Sequence, residues 1–191
     1  MMKFLEKVMT LMSSYDETVC GMRDQGRLYG KCEELLTAKH VIFQPMPEVV
    51  QKQLLEDYRR PFPPELLEVY QFMNGGNLFT KPLNIQGYKI SDIHFSIYGI
   101  PLTNDRKHLE PFNIQIEDSD RREKVSKSWL KFGSYKHLNH KDKIGLFADT
   151  DSRKAYAAVH DRAKNKTTVL ESWDSIDECL CAVFSYLEEN G

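Results

Sequence analysis

Several groups of residues in this 191-residue chain have types and spacings that chemistry uses. His137 and His140 bracket Leu138-Asn139 in the H-x-x-H pattern of a metal pair. They lack the glutamate of a zincin helix and sit in a basic, loop-like stretch with Lys136, Lys141 and Lys143, so solvated loop histidines are the expectation. Asp149 and Asp151 resemble the opening of a calcium loop. Arg153 and Lys154 fall where a ligand and the obligatory glycine belong, and His160 replaces the closing glutamate. A turn in which the carboxylates bond nearby backbone is the plainer account. Cys179 and Cys181, like Cys20 and Cys32, form neither a redox C-x-x-C nor a zinc knuckle, and read as buried free thiols. Asp174, Asp177 and Glu178 crowd a helix start, where capping and the helix dipole account for them. Gly75-Gly76 is a lone pair rather than a phosphate cradle, and no nucleophile elbow, P-loop or dinucleotide fingerprint occurs. These observations predict no catalytic residue, no metal and no cofactor.

A nucleic-acid face is the remaining chemical possibility. Lys131, Lys136, Lys141, Lys143, Arg153, Lys154, Arg162, Lys164 and Lys166 crowd the latter half, with Tyr156 among them. Asp142, Asp149, Asp151 and Asp161 interleave with them, which describes a mixed solvated surface. A formal net charge of -2 adds no global pull toward nucleic acid or anionic membrane. The expectation is a chain with neither as partner.

The elements that must position these residues follow from periodicity. Hydrophobic residues make up 41% and charged residues 28%, an ordinary globular balance. A chain of this length buries about 70% of its unfolded surface. The first residues have too short an apolar run for a secretory leader, with Glu6 and Lys7 interrupting it, and no stretch approaches the ~20 apolar residues of a membrane helix. A cytoplasmic protein is expected.

Phe4, Val8, Leu11, Met12, Tyr15, Val19 and Met22 hold a helical stripe over residues 3 to about 22, and a second helical piece is expected around Leu28, Cys32, Leu35 and Leu36. The Met-rich stripe reads as core rather than as a dimerisation surface. Val41-Ile42-Phe43 is an extended run, and Pro47 precedes a helix carrying Val50, Leu54, Leu55 and Tyr58. Pro63 and Pro64 open another helix, whose face is Leu66, Val69, Tyr70 and Met73. Asn74-Gly75-Gly76 ends it, with Gly75 in the left-handed C′ conformation. Extended segments follow at 78–79, 87–90 and 95–100. Residues 103–118 read as a loop and 118–128 as a charged surface helix. Ile144–Ala148 is a buried strand, 155–160 and 167–170 pair as a hairpin, and Ser175 with Glu178 forms the capping box of a closing helix. Ile176, Cys179, Leu180, Val183, Phe184 and Leu187 mark its apolar face.

The order of these segments resembles the SUKH superfamily, which unites fungal cell-wall assembly regulators of the Smi/Knr type with many bacterial immunity proteins. The residues that carry the resemblance are Pro63, Tyr70, Asn74, Gly75 and Gly76, then Trp129, Phe132 and Gly133, then Phe147 and Asp149, then Ser175 and Ile176. They span about 48–189; the first forty residues and the loop near 103–118 have no counterpart. The resemblance implies an α+β domain over 41–191, a mostly antiparallel twisted sheet with helices packed on one face, with 1–40 as a helical extension.

It also implies a non-catalytic protein-binding role: an immunity protein occupying a cognate toxin domain, or else a scaffold or regulator, acting as a monomer or homodimer. A hydrolase or nucleic-acid-acting enzyme is the alternative from another class. The candidate partner-binding residues are Asn77, Tyr88, Tyr98, Trp129 and Arg153, chosen as polar, aromatic or Arg positions near strand edges and loops. Of these, Trp129 is expected in the core.

Overall fold

The computed structural model describes residues 1–15, 17–19, 26–30, 38–57, 62–85, 88–99, 128–161 and 166–190. Its elements in chain order are α1 (Lys3–Ser13), β1 (Glu17–Val19), β2 (Arg27–Tyr29), β3 (His40–Ile42), α2 (Glu48–Asp57), α3 (Pro64–Phe72), β4 (Gly76–Ile85), β5 (Tyr88–Ile97), β6 (Trp129–Tyr135), β7 (Ile144–Asp149), β8 (Ala155–Asp161), β9 (Lys166–Trp173) and α4 (Ile176–Asn190). Among the described residues the strands form one nine-stranded sheet in chain order, and every neighbouring pair is antiparallel. The fold is α+β, as the sequence predicts.

Alternation along β5 shows how the sheet sorts its residues. Phe95 and Ile97 join the main core, while His94 and Ser96 belong to the buried polar residues of the opposite face. On the core face, Leu78, Leu130, Phe132, Leu146, Ala148 and Ala157 carry the apolar layer across the sheet. Phe4 of α1 meets Phe95 at 6.3 Å and Phe184 of α4 at 6.1 Å, both edge-on, an arrangement that aromatic rings favour. Leu66, Val69 and Tyr70 of α3 complete that layer. The expected extended runs at 87–90 and 95–100 meet in one strand that ends at Ile97, because Asp92 and His94 belong to the outward half of the alternation and do not interrupt it. Among the described residues, no helix is long and apolar enough to cross a membrane.

The Met-rich stripe of α1 is core: Phe4, Leu5, Val8 and Met12 are buried. The helix stops at Ser13, earlier than its apolar period suggests. Ser13 and Ser14 turn their hydroxyls back onto the Thr10 and Leu11 carbonyls, each at 2.7 Å, and satisfy the last-turn acceptors there. Beyond them Glu17–Val19 is a strand, and so is Arg27–Tyr29, where a helix around Leu28 was expected. Leu28 lies opposite Val41 and packs with Ala38 and Val41, so pairing with β3 overrides its helical spacing. Cys32, Leu35, Leu36 and Tyr58 lie outside the described residues, as do the predicted loop and surface helix of 103–127.

α3 starts as expected, with Pro63 extended and Pro64 as its first residue. It ends on Met73 in an extended conformation, and Gly75 takes the positive φ of 83° one residue later than a C′ glycine would. A Cβ on Gly75 would stand 2.6 Å from the Gly99 nitrogen and 2.7 Å from the Ile97 oxygen, so the turn also needs the bare backbone for its contact with β5.

Three helix N-termini meet through carboxylates. Asp177, in the first turn of α4, accepts the backbone N–H groups of Lys3 at 3.0 Å and Phe4 at 2.9 Å, so it caps α1 rather than its own helix. Glu68 of α3 accepts the Met2 N–H at 2.8 Å, and Glu65 accepts that of Asp177 at 3.4 Å. The capping box of α4 also forms. The Ser175 hydroxyl accepts the Glu178 N–H at 3.1 Å, while the Glu178 carboxylate reaches one residue past the usual partner to the Asp174 N–H at 3.2 Å.

Candidate functional site

The sheet face turned away from the helices holds a row of short polar side chains on neighbouring strands. Asn77 lies opposite Ser96, and Ser96 opposite Ser134. The Ser96 hydroxyl donates to Asn77 Oδ1 at 2.9 Å, and the Tyr98 hydroxyl donates to Ser134 Oγ at 3.2 Å. All three short residues are buried, with Asn77 at 5% exposure, so these bonds satisfy groups that would otherwise cost free energy.

Next to this row is an aromatic step. The Trp129 and Tyr156 rings stack at 4.4 Å with an interplanar angle of 13°, and Phe147 packs on Trp129 at 5.6 Å. Lys131 sits over the Phe147 ring at 5.6 Å. The positions follow from register: Lys131 opposes Phe147, which opposes Tyr156 on the other side. Phe147 is buried, whereas Trp129 and Tyr156 are half-buried and offer flat apolar surface.

The predicted partner-binding residues therefore separate. Asn77 and Trp129 share this face, and Tyr98 reaches it through its hydroxyl at Ser134 while packing against the main core. Trp129 lies outside the main core, correcting the expectation of core packing, because its strand position alternates with Leu130, which points inward. Arg153 is exposed in the β7–β8 turn with a left-handed φ of 62°. Tyr88 opens β5 opposite Ile85, and its side chain lies outside the described residues. By type alone Tyr156 is an aromatic among lysines. Its signal was alternation: one large ring between Ala155 and Ala157, which both face the core.

At the far end of β5 and β6, Asp92 accepts from Lys136 Nζ and approaches His94 Nε2 at 3.3 Å. Burial alone would raise the Asp92 carboxyl; the hydrogen bond and charge of Lys136, with His94, outweigh it and hold it below the ordinary carboxylate value. His94 is pushed below its ordinary value by burial, against the pull of Asp92.

The remaining chemical candidates resolve into structure. Asp149 Oδ1 accepts the Asp151 N–H at 3.0 Å, Oδ2 accepts the Ser152 hydroxyl at 2.8 Å, and the Asp149 carbonyl accepts the Arg153 N–H at 2.8 Å. The aspartate thus organises a turn. The His137 ring stacks on Tyr186 at 4.5 Å, and its Nδ1 accepts the Asn139 N–H at 3.1 Å. Among the described residues, no group of three or more His, Cys, Asp or Glu is placed to hold a metal ion. Cys179 and Cys181 are free thiols; burial raises both, Cys181 to about 11, so both stay protonated near neutrality. Lys154 pairs with Asp174 at 2.9 Å. No family model, curated protein or solved structure matches the chain.

Proposed function

We propose that this chain is a SUKH-type, non-catalytic domain that acts by stoichiometric protein binding, with a cognate toxin domain as its partner in a bacterial setting. The observation that carries the reading is the Trp129–Tyr156 stack on the sheet face opposite the one that α1, α3 and α4 cover. Trp, Tyr and Arg dominate binding hot spots because they bury large area while losing little conformational freedom. Here the two rings already hold each other in place, so less ordering entropy opposes association. The polar row Asn77–Ser96–Ser134 beside them is internally bonded and already buried, so the accessible part of this face is the two half-buried rings. The ordered series from Pro63 to Ile176 supplies the family part of the reading.

An inhibitor of this kind needs a dissociation constant near nanomolar, about -12 kcal/mol, which a few such anchors supply. Co-purification from the native host followed by calorimetry on the captured protein tests the reading. A one-to-one complex supports it. Turnover of a small molecule that His137→Ala or Asp149→Ala abolishes, with no protein partner, overturns it in favour of an enzyme.

A further inference from the structure

At the other end of the sheet, His40 of β3 occupies an unusual place in the ladder. Its imidazole is wholly buried, and its Nδ1 accepts the Phe79 N–H at 3.2 Å. Beside that bond the Thr80 N–H donates to the Lys39 carbonyl at 2.8 Å, and Val41 opposes Asn77. The ring thus stands where a backbone carbonyl would close the β3–β4 seam. Phe79 has a φ of 55°, a left-handed conformation unfavourable for a bulky residue, which persists only while its surroundings hold it.

A neutral ring accepting at Nδ1 carries its proton on Nε2, and that atom has no hydrogen-bond partner among the described residues. Tyr15 after α1 and Phe79 on β4 flank the ring, each with a centroid at 5.2 Å. Tyr29 lies opposite on β2, and Lys39 immediately precedes it at the entry to β3. Lys39 is the one charge acting on it among the described residues, and nothing acidic offsets that charge.

We propose that His40 is an acid-operated catch between the β1–β3 ribbon and the rest of the sheet: a proton on Nδ1 abolishes the acceptor that holds Phe79, and the β3–β4 seam opens. Burial, with Lys39 adding to it, lowers the closed ring from 6.5 to about 4. The opened ring binds its proton first, so the closed seam keeps its full strength above pH 6.5 and weakens as pH falls toward 4. The opening equilibrium should rise about 100-fold between pH 7 and pH 4.

Amide hydrogen exchange on the full chain, corrected for intrinsic rates, tests this. The Phe79 and Thr80 amides should lose about 100-fold protection from pH 7 to pH 4, while those of α4 keep theirs. In His40→Asn the amide oxygen replaces Nδ1 as acceptor and cannot titrate, so protection should be equal at both pH values. Flat protection in the wild type, or the same loss in His40→Asn, overturns the proposal. If that variant does not fold, the wild-type ring's own NMR titration decides. An Nε2–H tautomer titrating well below 6.5 supports the catch; an ordinary titration or an Nδ1–H tautomer overturns it.

Discussion

On β5, Phe95 turns toward Phe4 beneath the helices, while its neighbour Ser96 turns the other way and bonds Asn77. The same strands therefore build two surfaces with different physics. The covered face is held by apolar area and shape, with Phe4, Phe79, Phe95 and Phe184 meeting edge to face. The opposite face holds short hydrogen bonds, the Trp129–Tyr156 stack and, around β2 and β3, the small Leu28–Ala38–Val41 cluster. The difference teaches where each kind of substitution should act: on the covered face it should cost stability, and on the other face binding.

The largest expected effect lies on the covered face. Phe184→Ala should cost about 3–5 kcal/mol, since the ring is fully buried between α1 and the sheet. Denaturant unfolding measures it, and a loss within error would mean that the aromatic cluster does not hold the two layers together. Gly75→Val should follow at about 2–4 kcal/mol, from positive-φ strain and contact with the Gly99 backbone. Gly75→Ala should already carry most of the loss in thermal melts, since its Cβ brings both the strain and the backbone contact; an alanine variant as stable as the wild type would overturn both causes. Asp177→Ala should cost about 1 kcal/mol by uncapping α1 from outside. Exchange at Lys3 and Phe4 should accelerate while that of α4 changes less; equal acceleration in both helices would mean that the cap is not specific to α1.

Legibility followed the same division. The core stripe of α4, the β8–β9 hairpin and the Pro-opened α3 were readable because period, cap and turn all point one way there. The ribbon β1–β2 was not, since Leu28 fits a helical spacing and its strand exists through pairing with β3, a long-range contact. The Asp177 cap on α1 spans nearly the whole chain, and local rules assign that carboxylate to its own helix. On the candidate face, Asn77, Tyr98 and Trp129 could be chosen by type. Their grouping with Tyr156 and Ser134 depends on register across β4–β8, and spacing along one strand does not encode that.

The central claim is that the sheet face opposite α1, α3 and α4 binds a protein, and Trp129→Ala tests it most directly. Truncating this half-buried ring removes its stack on Tyr156, about 0.5–1.5 kcal/mol beyond the apolar area it buries there and on Phe147, so the variant's folding is checked first by denaturant unfolding. Calorimetric titration of the purified partner should give one-to-one binding to the wild type. For the folded variant it should show affinity weakened by about 2 kcal/mol or more, roughly 30-fold. Unchanged affinity in a folded Trp129→Ala protein would contradict the assignment of this face.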